Sequence, residues 1–318
     1  MSSHVLFRCI RKILRKKAYT NEYVHYSDQE ANDYILKTLC KADNGLMISK
    51  FGTIELDNVV CADVNGKGLT VRDYVRAFHG EYSIHTDEAI SKLCNNAGFF
   101  PNDPQLLGKY VDMVKQDMRE IDILGSYIKA EKYIADNLSP KCVKVNLDGY
   151  YAPFLWKSPW TQFLKNKKVL VVHPFVDSIK KQYERRELLF ADKDVLPEFK
   201  ELILIKAVQS MAGNGTHTGF NDWFEALQHM KNQMDSVDYD VALIGCGAYG
   251  MHLAAHAKRA RKIAVHLAGW TQMLFGIYGE RWIKDQPEYS RFINEHWVRP
   301  GKSEKPQGAE SVEGGCYW

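Results

Sequence analysis

No C-x-x-C pair occurs anywhere in the 318 residues, and the seven cysteines are scattered and odd in number. That excludes a disulfide framework and a cysteine-ligated zinc finger, and suits reduced thiols, several of them small core residues. The sequence also lacks H-E-x-x-H, G-x-S-x-G and G-x-x-x-x-G-K-[ST]. A zincin, a serine hydrolase of the nucleophile-elbow type and a P-loop NTPase are therefore disfavoured. No apolar run approaches the ~20 residues that span a bilayer. Charge of one sign is scarce too: the net value is only +3. Six basic and no acidic residues fall within the first 20, leaving −3 for the rest. A basic surface belonging to the folded body is thus missing, which argues against a nucleic-acid partner.

What is present at the start is an amphipathic pattern. Leu6, Ile10, Ile13 and Leu14 fall on one helical stripe, with Arg8, Arg11, Lys12, Arg15, Lys16 and Lys17 around it. Such a helix over residues 4–17 suits the surface of an anionic membrane, or packs on its own domain with a solvated basic face. The placement expected is cytoplasmic, with peripheral contact on the inner face of the membrane.

From residue 45 onward, short apolar runs alternate with helical stretches. The runs are 45–52, 121–127, 142–147, 167–175, 202–209, 240–245 and 263–269. Helices are expected at 28–41 with Asp28 as cap, from Thr53, at 86–96 and 104–120, and within AEKYIADNL. Further helices are expected in VDSIKKQYERRELLF, FNDWFEALQHMKNQM, YGMHLAAHAKRARK, TQMLFGIYGERW and PEYSRFINEHW. Continuously apolar strands between helices predict an α/β fold, a doubly wound, mostly parallel sheet covered on both faces. The division expected is a helical extension over 1–44, one domain over 45–298 and a polar tail over 299–318. That tail ends on Tyr317 and Trp318, unusual for a disordered segment, and it either trails free or docks back, over a site.

Open sheets of this kind bind ligands beyond the carboxyl ends of their strands. The run 240–244 feeds Gly245-Cys246-Gly247-Ala248-Tyr249-Gly250, spaced G-x-G-x-x-G. Its glycines let the backbone approach a ligand, and the N–H groups of the following helix favour an anion. A dinucleotide site needs an acidic residue at the end of the next strand to hold the ribose. That strand ends in His266 and Leu267, and no Asp or Glu occurs from 251 to 279. The turn thus speaks for a phosphate more than for NAD, or its glycines serve only tight packing. Glu55 stands in the first turn of the helix after the first strand. It could accept a proton from a hydroxyl or hold a cation, or simply complement the helix dipole. His173 and Gln272, also at strand ends, are candidate polar contacts to phosphate or sugar. His252 and His256 share a helical face but lack the companions of a zinc site.

Two stretches carry a family resemblance. ISKFGTIEL (48–56) resembles the arginine–phenylalanine–glycine–aspartate–x–glutamate segment of bacterial D-type glycosyltransferases (the GT-D fold), and residues 240–276 are similar to that fold's closing strand–turn–helix–strand unit. The span 45–298 also resembles uncharacterised proteins of bacterial surface-polysaccharide gene clusters. The resemblance implies a Rossmann-like sheet, a nucleotide-sugar donor, a glycan or lipid-linked acceptor, and a divalent cation, Mn or Mg. It places Lys50, Gly52, Thr53 and Glu55 at the donor phosphates. Lys50 stands for the family's arginine and Thr53 for its aspartate, so only Glu55 remains of the acidic pair and the cation is in doubt. Lys50 and backbone amides could neutralise the phosphates instead. Two other readings stay open: an NAD(P)-dependent oxidoreductase or epimerase of nucleotide sugars, and a non-catalytic nucleotide- or glycan-binding protein.

Overall fold

The computed structural model describes residues 24–318; the basic stripe at 4–17 lies outside them. Seven strands form one sheet: β1 (Leu46–Lys50), β2 (Ile123–Gly125), β3 (Val143–Val145), β4 (Lys168–His173), β5 (Glu201–Lys206), β6 (Val241–Ile244) and β7 (Ile263–His266). Their order is β3-β2-β1-β7-β6-β4-β5, and every pairing is parallel. The central strands β6 and β7 are buried throughout, as unbroken apolar runs require when both faces are covered.

The helices are α1 (Asp28–Lys41), α2 (Thr53–Gly66), α3 (Val71–Phe78), α4 (Thr86–Lys92), α5 (Pro104–Asp117), α6 (Leu147–Tyr151), α7 (Val176–Glu184), α8 (Trp223–Asp235), α9 (Gly250–Arg259) and α10 (Trp270–Leu274). Right-handed crossovers dictate which face each one covers. The steps β1→β2→β3 and β5→β6→β7 travel one way across the sheet, and α2, α5, α8 and α9 share one core. The steps β3→β4→β5 travel the other way, and α6 and α7 join α1 and α10 in the core on the opposite face.

Several helical expectations are corrected. AEKYIADNL folds as two 3₁₀ turns, Lys129–Tyr133 and Ala135–Asn137. The Glu131 carboxylate accepts from the N–H groups of Tyr127 and Ile128, both at 2.9 Å, and from the Ser126 hydroxyl, so local caps replace a regular helix. In TQMLFGIYGERW the helix stops at Leu274, before Gly276 takes φ +65°, a left-handed stop that suits glycine. PEYSRFINEHW yields only a 3₁₀ turn, Pro287–Phe292. Ser27 and Gly52, rather than Asp28 and Thr53, occupy the cap positions.

The tail packs onto the α10 face through Ala309, Val312 and Trp318. Arg299 donates to the Trp318 main-chain oxygen at 2.8 Å, and the Cys316 carbonyl accepts from Arg281 N–H at 2.9 Å. The six described cysteines are free thiols. Among the described residues no helix is long and apolar enough to cross a membrane.

Candidate functional site

Adjacent strands whose outgoing connections leave to opposite faces open a crevice between them. Here β1, β7, β6 and β4 lie side by side. They feed α2, α10, α9 and α7, which alternate between the two cores. The result is one cleft of about 630 Å³ across four strand ends. It receives Lys50, Gly52, Thr53 and Glu55 from β1, Gly245, Gly247 and Tyr249 from β6, His173 from β4, and Gln272 from α10. Gly250 stands outside it. Its Cα lies against the His266 ring, which leaves no room for a Cβ, so its glycine is a matter of packing.

The other two glycines of the turn are also demanded by the protein. A Cβ on Gly245 would collide with the Ala268 carbonyl and lie 2.8 Å from the His173 ring. Gly247 has φ +58°, and a Cβ there would lie 2.6 Å from the Ala97 carbonyl. Tight packing therefore explains the spacing without a ligand. What packing does not use is the turn's donors: among the described residues no acceptor takes the N–H groups of Cys246, Gly247 or Ala248. Three successive free amides beside a cleft favour an anion.

Glu55 is the third residue of α2, and its side chain folds back over Gly52. Crowding by the protein raises its pKa, opposed by the charge of Lys50; the same crowding lowers the pKa of Lys50, opposed by Glu55. Both remain partly open to the cleft by surface area, so each is a group whose charge a ligand can reach. Lys50 Nζ lies 3.4 Å from the Tyr127 hydroxyl, which donates to the Phe51 carbonyl at 3.0 Å. A methyl at position 52 would first meet the movable Glu55 carboxylate, which supplies its three nearest atoms, and φ −76° suits any residue. Gly52→Ala is therefore expected to melt within about the ±0.5 kcal/mol of an innocuous change. It should also displace the Glu55 carboxylate, so that an activity resting on Glu55 falls on the order of 10²-fold. A large loss of stability, or unaltered activity in a working assay, would contradict this placement.

The remaining candidates are positioned as follows. His173 is buried, which holds its pKa down to about 3, and its Nδ1 accepts from Phe175 N–H at 3.0 Å. The ring is thus neutral with its hydrogen on Nε2, a donor. Tyr249 stacks on Trp223, ring centroids 5.1 Å apart, and its hydroxyl meets Ser210 Oγ at 2.9 Å. Gln272 is committed to the tail, donating to the Tyr317 carbonyl at 3.1 Å, and so is less a ligand contact than a fastener.

The residue that sequence reasoning missed is Arg281, which lines the same cleft. Its guanidinium pairs with Glu313, lies 3.2 Å from Cys316 Sγ and sits 4.5 Å from the centre of the Tyr317 ring. The signal was there as the first arginine after the last strand, but a continuous helix through TQMLFGIYGERW gave it no reason to turn inward. Trp270 stacks on Tyr151, centroids 4.2 Å apart, and Asp148, Asp285 and Glu288 line the cleft as well.

The donor set does not fit Mn²⁺ or Mg²⁺. Hard cations of this kind want several oxygens, usually with more than one carboxylate. Glu55 is accompanied by Thr53 and by the charge of Lys50, and among the described residues no three His, Cys, Asp or Glu side chains converge as ligands. His252 and His256 face separate carboxylates, Asp117 and Asp235.

Comparison with known proteins returns no match to any family model, curated protein or solved structure.

Proposed function

We propose that the protein is a glycosyltransferase, moving a sugar from a nucleotide-diphosphate donor to a glycan or lipid-linked acceptor. The observation that carries the reading is the convergence of Glu55, Lys50 and the free amides of Cys246 and Gly247 on one cleft. The amides would bind the diphosphate, with Lys50 and Arg281 supplying positive charge that a cation supplies elsewhere. Donors fixed in advance toward the leaving diphosphate would lower the barrier as its charge develops. Glu55 would take the proton of the attacking hydroxyl, a role that a raised pKa favours because it makes the carboxylate a stronger base. His173 Nε2–H would donate to a sugar or phosphate oxygen. Trp270, Asp148 and Glu288 in the lining suit the apolar faces and hydroxyls of a second sugar.

The oxidoreductase reading is weaker, because the end of β7 offers no carboxylate for a ribose. Its last residue, His266, is buried and bonded to Ser49 at 3.0 Å. Contact with an anionic membrane through residues 4–17 would bring the site to a lipid-linked acceptor. A thermal-shift panel of UDP-, GDP-, CMP- and dTDP-sugars, each with and without Mn²⁺, and with NAD(P)H alongside, tests the reading. One nucleoside-diphosphate sugar is expected to raise the melting temperature equally with and without Mn²⁺. At a hundredfold excess over Kd, binding adds about 2.7 kcal/mol. Stabilisation by NAD(P)H alone would sink the proposal, and a strict Mn²⁺ requirement would overturn its account of the phosphates.

A further inference from the structure

A second cavity lies directly behind Glu55. Its volume of about 10 Å³ is close to that of one water-sized probe sphere. Lys50, Gly52, Glu55, Gly247 and His266 border both this cavity and the main cleft, so Glu55 forms part of the wall between them. The far wall is His252, fully buried on α9, with Tyr110 beside it.

The hydrogen bonding of the two histidines leaves matching vacancies. His252 Nδ1 is 2.6 Å from one oxygen of Asp117, and the other oxygen of that carboxylate takes Arg259 Nη2 at 2.6 Å. Asp117 is held ionised: burial works against its charge, but His252 and Arg259 outweigh it and lower its pKa. An ionised carboxylate only accepts, so Nδ1 carries the hydrogen and Nε2 is a bare acceptor. That Nε2 is buried and has no partner. His266 mirrors the arrangement, with Ser49 Oγ 3.0 Å from Nδ1 and a buried Nε2 without a partner. Ser49 Oγ either donates to Nδ1 or accepts from it, so His266 Nε2 can meet a water as donor or as acceptor. An orphan acceptor on His252, an orphan ring nitrogen on His266 and a carboxylate thus border a space the size of a water molecule, whose usual complement is about three hydrogen bonds.

We infer that this cavity holds a single structural water linking His252 and His266 to Glu55, and that the Asp117–His252 pair relays the proton Glu55 receives. With Ser49 donating to His266 Nδ1, the water accepts from His266 Nε2–H and donates one hydrogen to His252 Nε2 and the other to the Glu55 carboxylate. When Glu55 has taken a proton, its O–H bond breaks and that proton joins the water oxygen. The water's opposite O–H bond breaks in turn and its hydrogen bonds to His252 Nε2. Glu55 is again a carboxylate, the water is again water, and His252 is an imidazolium against the Asp117 carboxylate. At rest, burial and the charges of Lys231 and Arg259 keep the imidazole neutral against the pull of Asp117. The edges of Tyr110 and Trp223 close off the ring from solvent. His252 and Asp117 are positioning residues here, since they act through the water and Glu55 rather than on a substrate.

The water bridge stands on geometry alone, whereas its use as a relay rests on the glycosyltransferase reading. Nitrogen NMR of ¹⁵N-histidine-labelled full-length protein tests the bridge without any substrate, with His252→Gln used to assign the signal. His252 is expected as the Nδ1–H tautomer, with a cross-peak from its ring to a long-lived water. In Glu55→Gln the His252 Nε2 signal should shift, though the two side chains reach each other only through the water. An Nε2–H tautomer, an unmoved signal in Glu55→Gln, or an empty cavity in a high-resolution crystal structure overturns the bridge. For the relay, His252→Gln should lower kcat and leave KM for the donor unchanged; an unchanged kcat overturns it. A donor panel that fails beside a spectrum that behaves as expected removes the glycosyltransferase reading and leaves the water in place.

Discussion

Replacing Glu55 by glutamine is expected to cut turnover about 10²–10⁴-fold, the usual worth of a general base, while donor affinity barely changes. Glutamine keeps the shape and the hydrogen-bonding reach of the side chain and removes only its ability to hold a proton. The pH profile gives a second reading of the same residue. Burial raises the Glu55 pKa, so the ionised, active form is lost as pH falls through a value above the ~4.3 of an ordinary glutamate. Lys50 works against that rise, so Lys50→Met should move the acidic limb of kcat to still higher pH. Steady-state kinetics across pH on the wild type and both variants checks all three statements. Undiminished turnover in Glu55→Gln, or an acidic limb that moves down in Lys50→Met, would remove Glu55 from the role of base.

The largest expected effect on the fold comes from Trp223→Ala, about 3–5 kcal/mol by the usual cost of emptying a large aromatic site. Trp223 is fully buried at the start of α8, where Asp222 caps the helix by accepting from Glu225 N–H at 2.8 Å. Its ring lies within 5.7 Å, centre to centre, of Phe99, Tyr110, Phe224, Tyr249 and His252. The interplanar angle with Tyr249 is only 9°, so the cavity would open behind a residue that lines the cleft. Trp223→Phe should cost markedly less, because it keeps an aromatic ring and deletes an indole N–H that is buried without an acceptor. Urea unfolding should show a lower midpoint at unchanged slope for the alanine variant. A change within the ±0.5 kcal/mol of a surface substitution would mean that the cluster is not a structural centre.

The strands were legible because burial on both faces leaves mostly apolar side chains, and 240–245 and 263–269 carry that mark without help from tertiary context. Helices were legible where a periodic stripe is long, as over Pro104–Asp117 and Trp223–Asp235. They failed from residue 275 onward, where Gly276 and the demands of the docked tail override local propensity. In the site, Glu55 and the glycine turn could be nominated because each directly follows a strand. That they meet depends on β7 lying between β1 and β6, an order no local pattern encodes. Arg281 and Glu313 were missed for another reason: they meet where the tail docks, and the tail's sequence has no periodicity to place it, although its Tyr317–Trp318 end hinted at docking over a site. Gly250 was misjudged because spacing alone cannot separate a glycine that faces a ligand from one that faces a histidine ring.

The place of β7 has a consequence for how the molecule comes into being. The left half of the sheet, β3-β2-β1, is complete once residue 145 has been made, and β4 and β5 pair by residue 206. Neither half touches the other until β6 and β7 arrive and Ile48 finds Val265, more than two hundred residues away. Such pairings are slow to close, because the long intervening loop must lose its freedom first. Until then β1 keeps an unsatisfied edge, a place where a nascent chain is prone to stick to its neighbours. The same seam divides the cleft, with Lys50 and Glu55 on one half and His173 and the glycine turn on the other. Pairing of β7 with β1 and β6 therefore finishes the sheet and brings the two sides of the cleft together.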